Sequence, residues 1–380
     1  MLFETPELHR QEEQVLNQIR ELWSQLAWQL KSNPYRWNGF LRRSSFARAI
    51  RGSNSIEGIE VSQQDALAAA DHTEPFDSEG ETWDAIVGYR DAMTYVLRLA
   101  EDPHFRFDAS LIRSLHFMML RYDLPKHPGA WRPGAIFVRD ERRGEVVYEG
   151  PDSERIPDLI DELVSWLGDG LRDKSDSTSS MLRAAMAHLN LVLIHPFSDG
   201  NGRMARCLQT LVLARAGVLD PTFCSIEEYL GRNTDTYYAV LTEVAGGSFQ
   251  PTRDARPWIR FNLTAHFRQA TTTLQRQREI ALIWEEVEAE AMRSGLPERA
   301  CASLVEAAFG YRVRNPSYRG HTDVSALVAS RDLKLLVEAG LLETVGERRG
   351  RYYVASERLR DLRTRHARRS HIADPFDDAR

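Results

Sequence analysis

Residues 195–206 read HPFSDGNGRMAR, which puts a histidine, a carboxylate, two glycines around an asparagine and two arginines three apart into one short stretch. A packed core has no use for that mixture. Upstream, MLRAAMAHLNLVLI spaces Leu182, Ala185, Met186, Leu189 and Leu193 at helical intervals, with Val192 and Ile194 filling much of the remaining circumference, so a buried helix is expected there. It ends at His195-Pro196, because proline disfavours helix at the residue before it and the polar SDGNG cannot continue one. After this turn RMARCLQTLVLARAG is helical again, with Leu208, Leu211 and Val212 as its apolar stripe and Gly217 as a C-cap.

SDGNG is therefore a loop that opens onto a helix N-terminus. Unpaired backbone N–H groups and the positive end of the helix dipole gather there, and glycines let the backbone close around an anion, so phosphate is the natural guest. Arg203 and Arg206 lie one turn apart on one face, poorly placed against the dipole unless something negative sits in front of them. Asp199 has the chemistry to hold a hard divalent cation against phosphate oxygens, and His195 that of a general base. Each piece alone has an ordinary structural reading, and Phe197 reads as a core plug. Their joint occurrence at the mouth of a buried helix favours a phosphate site.

The stretch resembles the signature of the Fic family, H-x-F-x-[D/E]-G-N-G-R-x-x-R, and matches it at every defined position. The resemblance implies a mainly α fold with the signature on a loop between two central helices. It also implies transfer of a nucleotide monophosphate, usually AMP from ATP, to a protein hydroxyl. On that resemblance His195 deprotonates the acceptor and Asp199 binds Mg2+. Gly200, Asn201 and Gly202 form the anion hole, Arg203 steadies the polyphosphate and Arg206 reaches the γ-phosphate.

Three further stretches extend the resemblance. SNSIEG (53–58) fits the family's inhibitory pattern [S/T]-x-x-x-E-[G/N] through Ser53, Glu57 and Gly58, on a helix expected over about 44–58. It implies that Glu57 pairs with Arg206 and keeps the γ-phosphate out. AIFV and EVVY flank the polar RDERRG and read as a β-hairpin. In this family such a flap docks the target by strand addition, which assigns Ile136, Phe137, Val138, Val146, Val147 and Tyr148. GRNTDTYYAVL resembles the adenosine-contacting helix, with Asn233 and Tyr237 as candidates and Tyr238 as the alternative to Tyr237.

Composition bounds the rest. With 380 residues and 42% hydrophobic content the chain has ample core for two or three domains, and it holds no apolar run of about 18 residues. Cys207, Cys224 and Cys301 lack metal-ligand spacing, and no membrane segment or signal peptide is read, so a cytoplasmic protein is expected. Residues 311–380 hold fifteen Lys/Arg against ten Asp/Glu, a net of +5 that leaves −11 for the rest. The expected organisation is an N-terminal helical region (1–80), a Fic domain (81–270), a linker helix (271–300), a winged-helix-like α+β domain (301–365) and a flexible tail (366–380). In the winged-helix reading, SRDLKLLVEAGLL holds the recognition helix with Arg331 and Lys334, and Arg348, Arg349 and Arg351 lie on the wing. That module has two readings, DNA binding and protein docking. The favoured function is an autoinhibited, Mg-dependent protein adenylyltransferase with ATP as co-substrate. The alternatives are a DNA-binding regulator with a Fic sensor domain and a bifunctional enzyme that also removes AMP. Target identity, self-modification and homodimer formation stay open.

Overall fold

The computed structural model describes residues 1–32, 36–139, 144–170, 177–217, 219–347, 350–366 and 371–377. Part of the hairpin turn RDERRG, part of the polar loop after residue 170, and Arg348 and Arg349 of the expected wing lie outside them.

The described residues are mainly helical. The N-terminal helices are α1 (Arg10–Ser32), α2 (Arg36–Ile56) and α3 (Gln63–Ala70), the last capped by Ser62, whose hydroxyl accepts from the Asp65 N–H. Next come α4 (Gly80–Leu99), α5 (Ala109–Leu120), the strands β1 (Phe137–Arg139) and β2 (Val146–Glu149), α6 (Ile156–Gly170), α7 (Ser177–Ile194) and α8 (Asn201–Ala216). Then follow α9 (Glu227–Arg232), α10 (Thr234–Ala245) and α11 (Arg256–Arg293). The C-terminal elements are α12 (Cys301–Ala308), α13 (Asn315–Thr322), α14 (Ala326–Glu338), β3 (Leu342–Val345), β4 (Tyr352–Ala355) and α15 (Glu357–His366).

The helices α7 and α8 pack along each other at the centre, and both are enclosed. Leu189, Ile194, Leu208 and Leu211 are fully buried, as the apolar spacing requires, and Gly217 ends α8 in a left-handed C-cap. The helix expected over about 44–58 begins earlier, since α2 runs unbroken from Arg36. Its last turn closes at Gly58, where φ is +76°.

β1 and β2 form an antiparallel pair in which Val138 faces Tyr148, with a bulge between Val138 and Arg139. The strand β3 pairs in full register with β4, and Val313 adds a bridge to Tyr353. Leu333 and Leu336 of α14 point inward.

The long helix expected to start near 271 is one helix from Arg256 to Arg293, so no break falls at residue 270. Ile280, Ile283, Trp284 and Val287 are buried along its second half, against α12 and α15. The helix α13 was not legible in the sequence. It has no apolar stripe, and only Tyr318 is buried, its hydroxyl donating to Asp332. Among the described residues no helix is long and apolar enough to cross a membrane.

Candidate active site

The loop between α7 and α8 is built from its own side chains. His195 adopts φ +52° and donates its backbone N–H to Leu191 O, ending α7 in a left-handed turn that brings the imidazole out of the helix. Asn201 clamps the loop from below, its Oδ1 accepting from Phe197 N–H at 2.9 Å and its Nδ2 donating to Phe197 O at 2.8 Å. Phe197 is fully buried, stacked 3.6 Å from the His116 ring. Gly200 has φ +76°, and a Cβ there would stand 2.9 Å from Leu120, so glycine is needed for both conformation and space.

His195 is set up as a base. Val192 O lies 3.0 Å from its Nδ1 and can only accept, so Nδ1 carries the proton and Nε2 presents a lone pair. Burial lowers its pKa, so the neutral form prevails near neutral pH. Arg132 holds this histidine's backbone. Its Nε donates to His195 O at 2.8 Å, its own N–H donates to Pro196 O, and its remaining nitrogens reach Gly134 O and Pro151 O at the foot of the hairpin.

Asp199 lies 2.7 Å from Lys126 Nζ through Oδ2, while Oδ1 accepts its neighbour's Gly200 N–H. Burial alone would raise its pKa, but Lys126 and Arg203 outweigh that, and the carboxyl sits below its usual range. His116 supports the loop as a neutral ring. Gly129 N–H donates to its Nδ1, so Nε2 holds the proton and donates to Asp199 O at 2.9 Å. Burial lowers its pKa to about 4.

Both signature arginines are 2% exposed. Arg203 Nη2 is 3.8 Å from Asp199, and its Nε and Nη1 have no hydrogen-bond partner among the described residues. Arg206 donates from Nε to Ser53 Oγ at 2.8 Å and from Nη2 to Ser53 O at 3.1 Å and Glu57 Oε1 at 2.6 Å. Burial by itself would lower the Arg206 pKa, but Glu57 reverses this and the guanidinium is held firmly charged.

The other expected site residues fall in different places. Phe137 and Val146 are exposed and Ile136, Val138 and Val147 half-buried, whereas Tyr148 is buried and its hydroxyl donates to Leu193 O. Tyr148 thus anchors the hairpin to α7 and has no surface to offer a target. Asn233 stands just before α10 without capping it through its side chain, and donates its Nδ2 back to Tyr229 O at 2.8 Å. Tyr237, expected at the adenosine, is 1% exposed and donates its hydroxyl to His188 Nε2 at 2.9 Å, behind Arg206. Its placement is a core placement. Of the two tyrosines, Tyr238 reaches the surface, with its hydroxyl donating to Ile56 O at 3.3 Å.

Arg132, His116 and Lys126 were not singled out from the sequence. Arg132 stood within GAWRPG as an unremarked cation before a proline, and His116 within an apolar helix as one more core residue. Apart from Asp123, which lies 3.3 Å from Lys126, their partners are backbone atoms or residues far along the chain, which spacing does not reveal.

Known proteins resemble this chain in sequence and fold. A family model described as "Fic/DOC family" matches residues 106–213, a span that holds the hairpin and the whole signature. The "Protein adenylyltransferase Fic" of Nematostella vectensis is 28% identical over 221 residues, which is 58% of this chain and 46% of that protein. The "Protein adenylyltransferase fic-1" of Caenorhabditis elegans is 37% identical over 120 residues, 31% of this chain and 21% of that one. The chain thus spans less than half the length of these curated relatives. Among solved structures, a Fic family protein from Desulfovibrio desulfuricans superposes with a TM-score of 0.58 at 19% identity, covering 93% of this chain and 98% of the other. Fic-1 of C. elegans superposes with 0.51 at 21% identity, over 70% and 73% of the two chains. Residues 106–213 of this protein are a Fic/DOC family domain.

Proposed function

We propose that this chain is a protein adenylyltransferase that moves AMP from ATP to a hydroxyl of a protein and is held inhibited by its own Glu57. The observation that carries this reading is the pairing of a free imidazole base with a buried, unsatisfied cationic loop. His195 Nε2 has a lone pair to offer, and Arg203 buries two donors with no acceptor. An unpaired buried guanidinium donor is costly, and an anion at the α8 N-terminus relieves it.

In this mechanism His195 Nε2 takes the proton from the acceptor hydroxyl as its oxygen attacks the α-phosphorus. The bond to the β-phosphate oxygen breaks, and pyrophosphate leaves. Gly200 turns the backbone while its own N–H goes to Asp199, and the N–H groups of Asn201 and Gly202, with Arg203, hold the phosphates in line and stabilise charge on the transferring and leaving groups. Asp199 is an ionised carboxylate at the mouth of this loop, which suits magnesium held by one carboxylate and substrate oxygens. Magnesium, when bound, neutralises polyphosphate charge. Arg206 meets the γ-phosphate only once Glu57 has left it. For the nucleotide base we assign Asn233 and Tyr238, with Tyr237 positioning Arg206. We assign target docking to the exposed hairpin residues Phe137 and Val146, a winged-helix-like module to residues 301–365, and the cytoplasm as the site of action.

The test uses wild type, Glu57→Gly and Glu57→Gly/His195→Ala with magnesium and ATP labelled on the α-phosphate. Label on the chain itself or on lysate proteins that rises with Glu57→Gly and disappears with His195→Ala supports the reading. No label from any variant, with other nucleotides also silent, would falsify it.

A further inference from the structure

The N-terminal half of α2 is gripped by residues from the far end of the chain. Phe40 is 1% exposed, with its ring centroid 5.4 Å from that of Phe309 and 5.8 Å from that of Tyr311. One turn further on, Arg43 forms an ion pair with Glu306 of α12 and brings Nε to 3.3 Å from Asp71, just beyond α3. His321 of α13 closes the cluster, its Nε2 3.5 Å from Asp71 and its Nδ1 3.5 Å from Glu306. Beside it, Gln64 of α3 donates to Gly310 O at 2.8 Å and accepts from Arg312 N–H at 2.7 Å. The guanidinium of Arg314 sits 3.4 Å from the Phe76 ring centroid.

We infer that residues 306–321 are a holding element for the inhibitory helix, and that their grip on α2 and α3 sets how firmly Glu57 occupies Arg206. This rests on reading Glu57 as the inhibitor. The helix makes the link mechanical. It runs unbroken over 21 residues, so Phe40, in its second turn, and Glu57, one residue past its last, lie about 25 Å apart along one rod. Its inhibitory end is seated by backbone contact. A Cβ at Gly52 would overlap Glu227 O, and one at Gly231 would stand 2.8 Å from Gly52 Cα, leaving α2 little room to bend or roll where it crosses α9. Because the helix is stiff, a displacement where Glu306, Phe309 and Tyr311 hold the rod carries Ser53 and Glu57 with it. The holding residues lie more than 90 positions beyond the 106–213 domain's last residue, so elements outside that domain are placed to act on the active site through α2.

The experiment places Arg43→Met and, separately, Gln64→Ala in the full chain, each with Glu57 intact and in a Glu57→Gly background. Two quantities are followed: transfer of α-labelled AMP, and amide hydrogen exchange over residues 50–58. Each substitution is expected to raise transfer about tenfold when Glu57 is present, within the range usual for coupling between sites. It should leave the Glu57→Gly rate unchanged and speed exchange in 50–58. Gln64 is half-buried, so its variant keeps the test alive if Arg43→Met unfolds. An unchanged rate with Glu57 intact, or an equal change in both backgrounds, overturns the inference. If Glu57→Gly itself transfers nothing, the adenylyltransferase reading fails and exchange alone decides, with unaltered protection of 50–58 sinking the grip.

Discussion

Glu57 Oε1 lies 2.6 Å from Arg206 Nη2, and the same oxygen would stand 2.6 Å from a Cβ placed on Gly202. The missing Cβ at Gly202 is thus what admits the carboxylate to the start of α8. In the proposed function, Glu57 occupies with one negative oxygen ground that a nucleotide would claim with another.

Removing Glu57 is expected to activate and destabilise at once. The Arg206 side chain would stay buried with only Ser53 as partner, and breaking such a pair costs up to about 3–5 kcal/mol. Glu57→Gly should therefore lower Tm, and saturating Mg-ATP should raise Tm by more in this variant than in wild type, because the γ-phosphate replaces the lost anion. A thermal-shift series with and without nucleotide decides it. Equal shifts would mean that Arg206 does not meet nucleotide.

The pH profile of transfer follows from His195. Burial lowers its pKa, and in the proposed mechanism the neutral ring is the active form, so the rate should hold as pH falls through about 6.5, the ordinary imidazole value, and drop only below it. The profile is best taken on Glu57→Gly at saturating magnesium, with His195→Ala as the blank. An acid limb centred above about 7 would point to a different base.

The sequence exposed the features that rest on local rules. Buried α7, the turn at Pro196, the caps at Ser62 and Gly217 and the hairpin strands all follow from spacing or single-residue conformational preference. The pairing of Glu57 with Arg206 came only through the family resemblance, since 149 residues separate the two, and the two contacts of Ser53 with Arg206 emerge only in the structure. What stayed hidden was set by tertiary contact. Tyr237 and Tyr238 are equivalent in sequence, and only the packing of α10 on α11 decides which is buried. Arg132 spends its donors on carbonyls, which any residue supplies, so nothing at positions 134, 151 or 195 could announce it.

Lys126 holds Asp199 Oδ2 at 2.7 Å, the oxygen a divalent cation would need. Lys126→Ala should tighten Mn2+ binding to the nucleotide-free chain several-fold, because the cation no longer competes with an ammonium. Titration followed by electron paramagnetic resonance measures this directly. Weaker binding in the variant would show that Lys126 builds the metal site instead of guarding it.

Glu228 ties α2, α9 and α11 together. Its carboxylate accepts from Arg276 at 2.9 and 3.0 Å and from Arg232 at 2.7 Å, with Arg48 of α2 at 3.8 Å. Burial would raise its pKa, but Arg276, Arg48 and Arg232 outweigh this and depress it to about 2. A carboxyl depressed on folding stabilises fully above its ordinary unfolded value, about 4.3, and loses that contribution as pH falls toward 2. The shift corresponds to up to about 3 kcal/mol at neutral pH. Denaturant unfolding of wild type and Glu228→Gln should show a gap of that order at pH 7. The gap should be nearly undiminished at pH 5 and clearly narrower at pH 3.5. A gap already closed at pH 5 would mean that the three arginines fail to outweigh burial, and that Glu228 is neutral through much of the acid range.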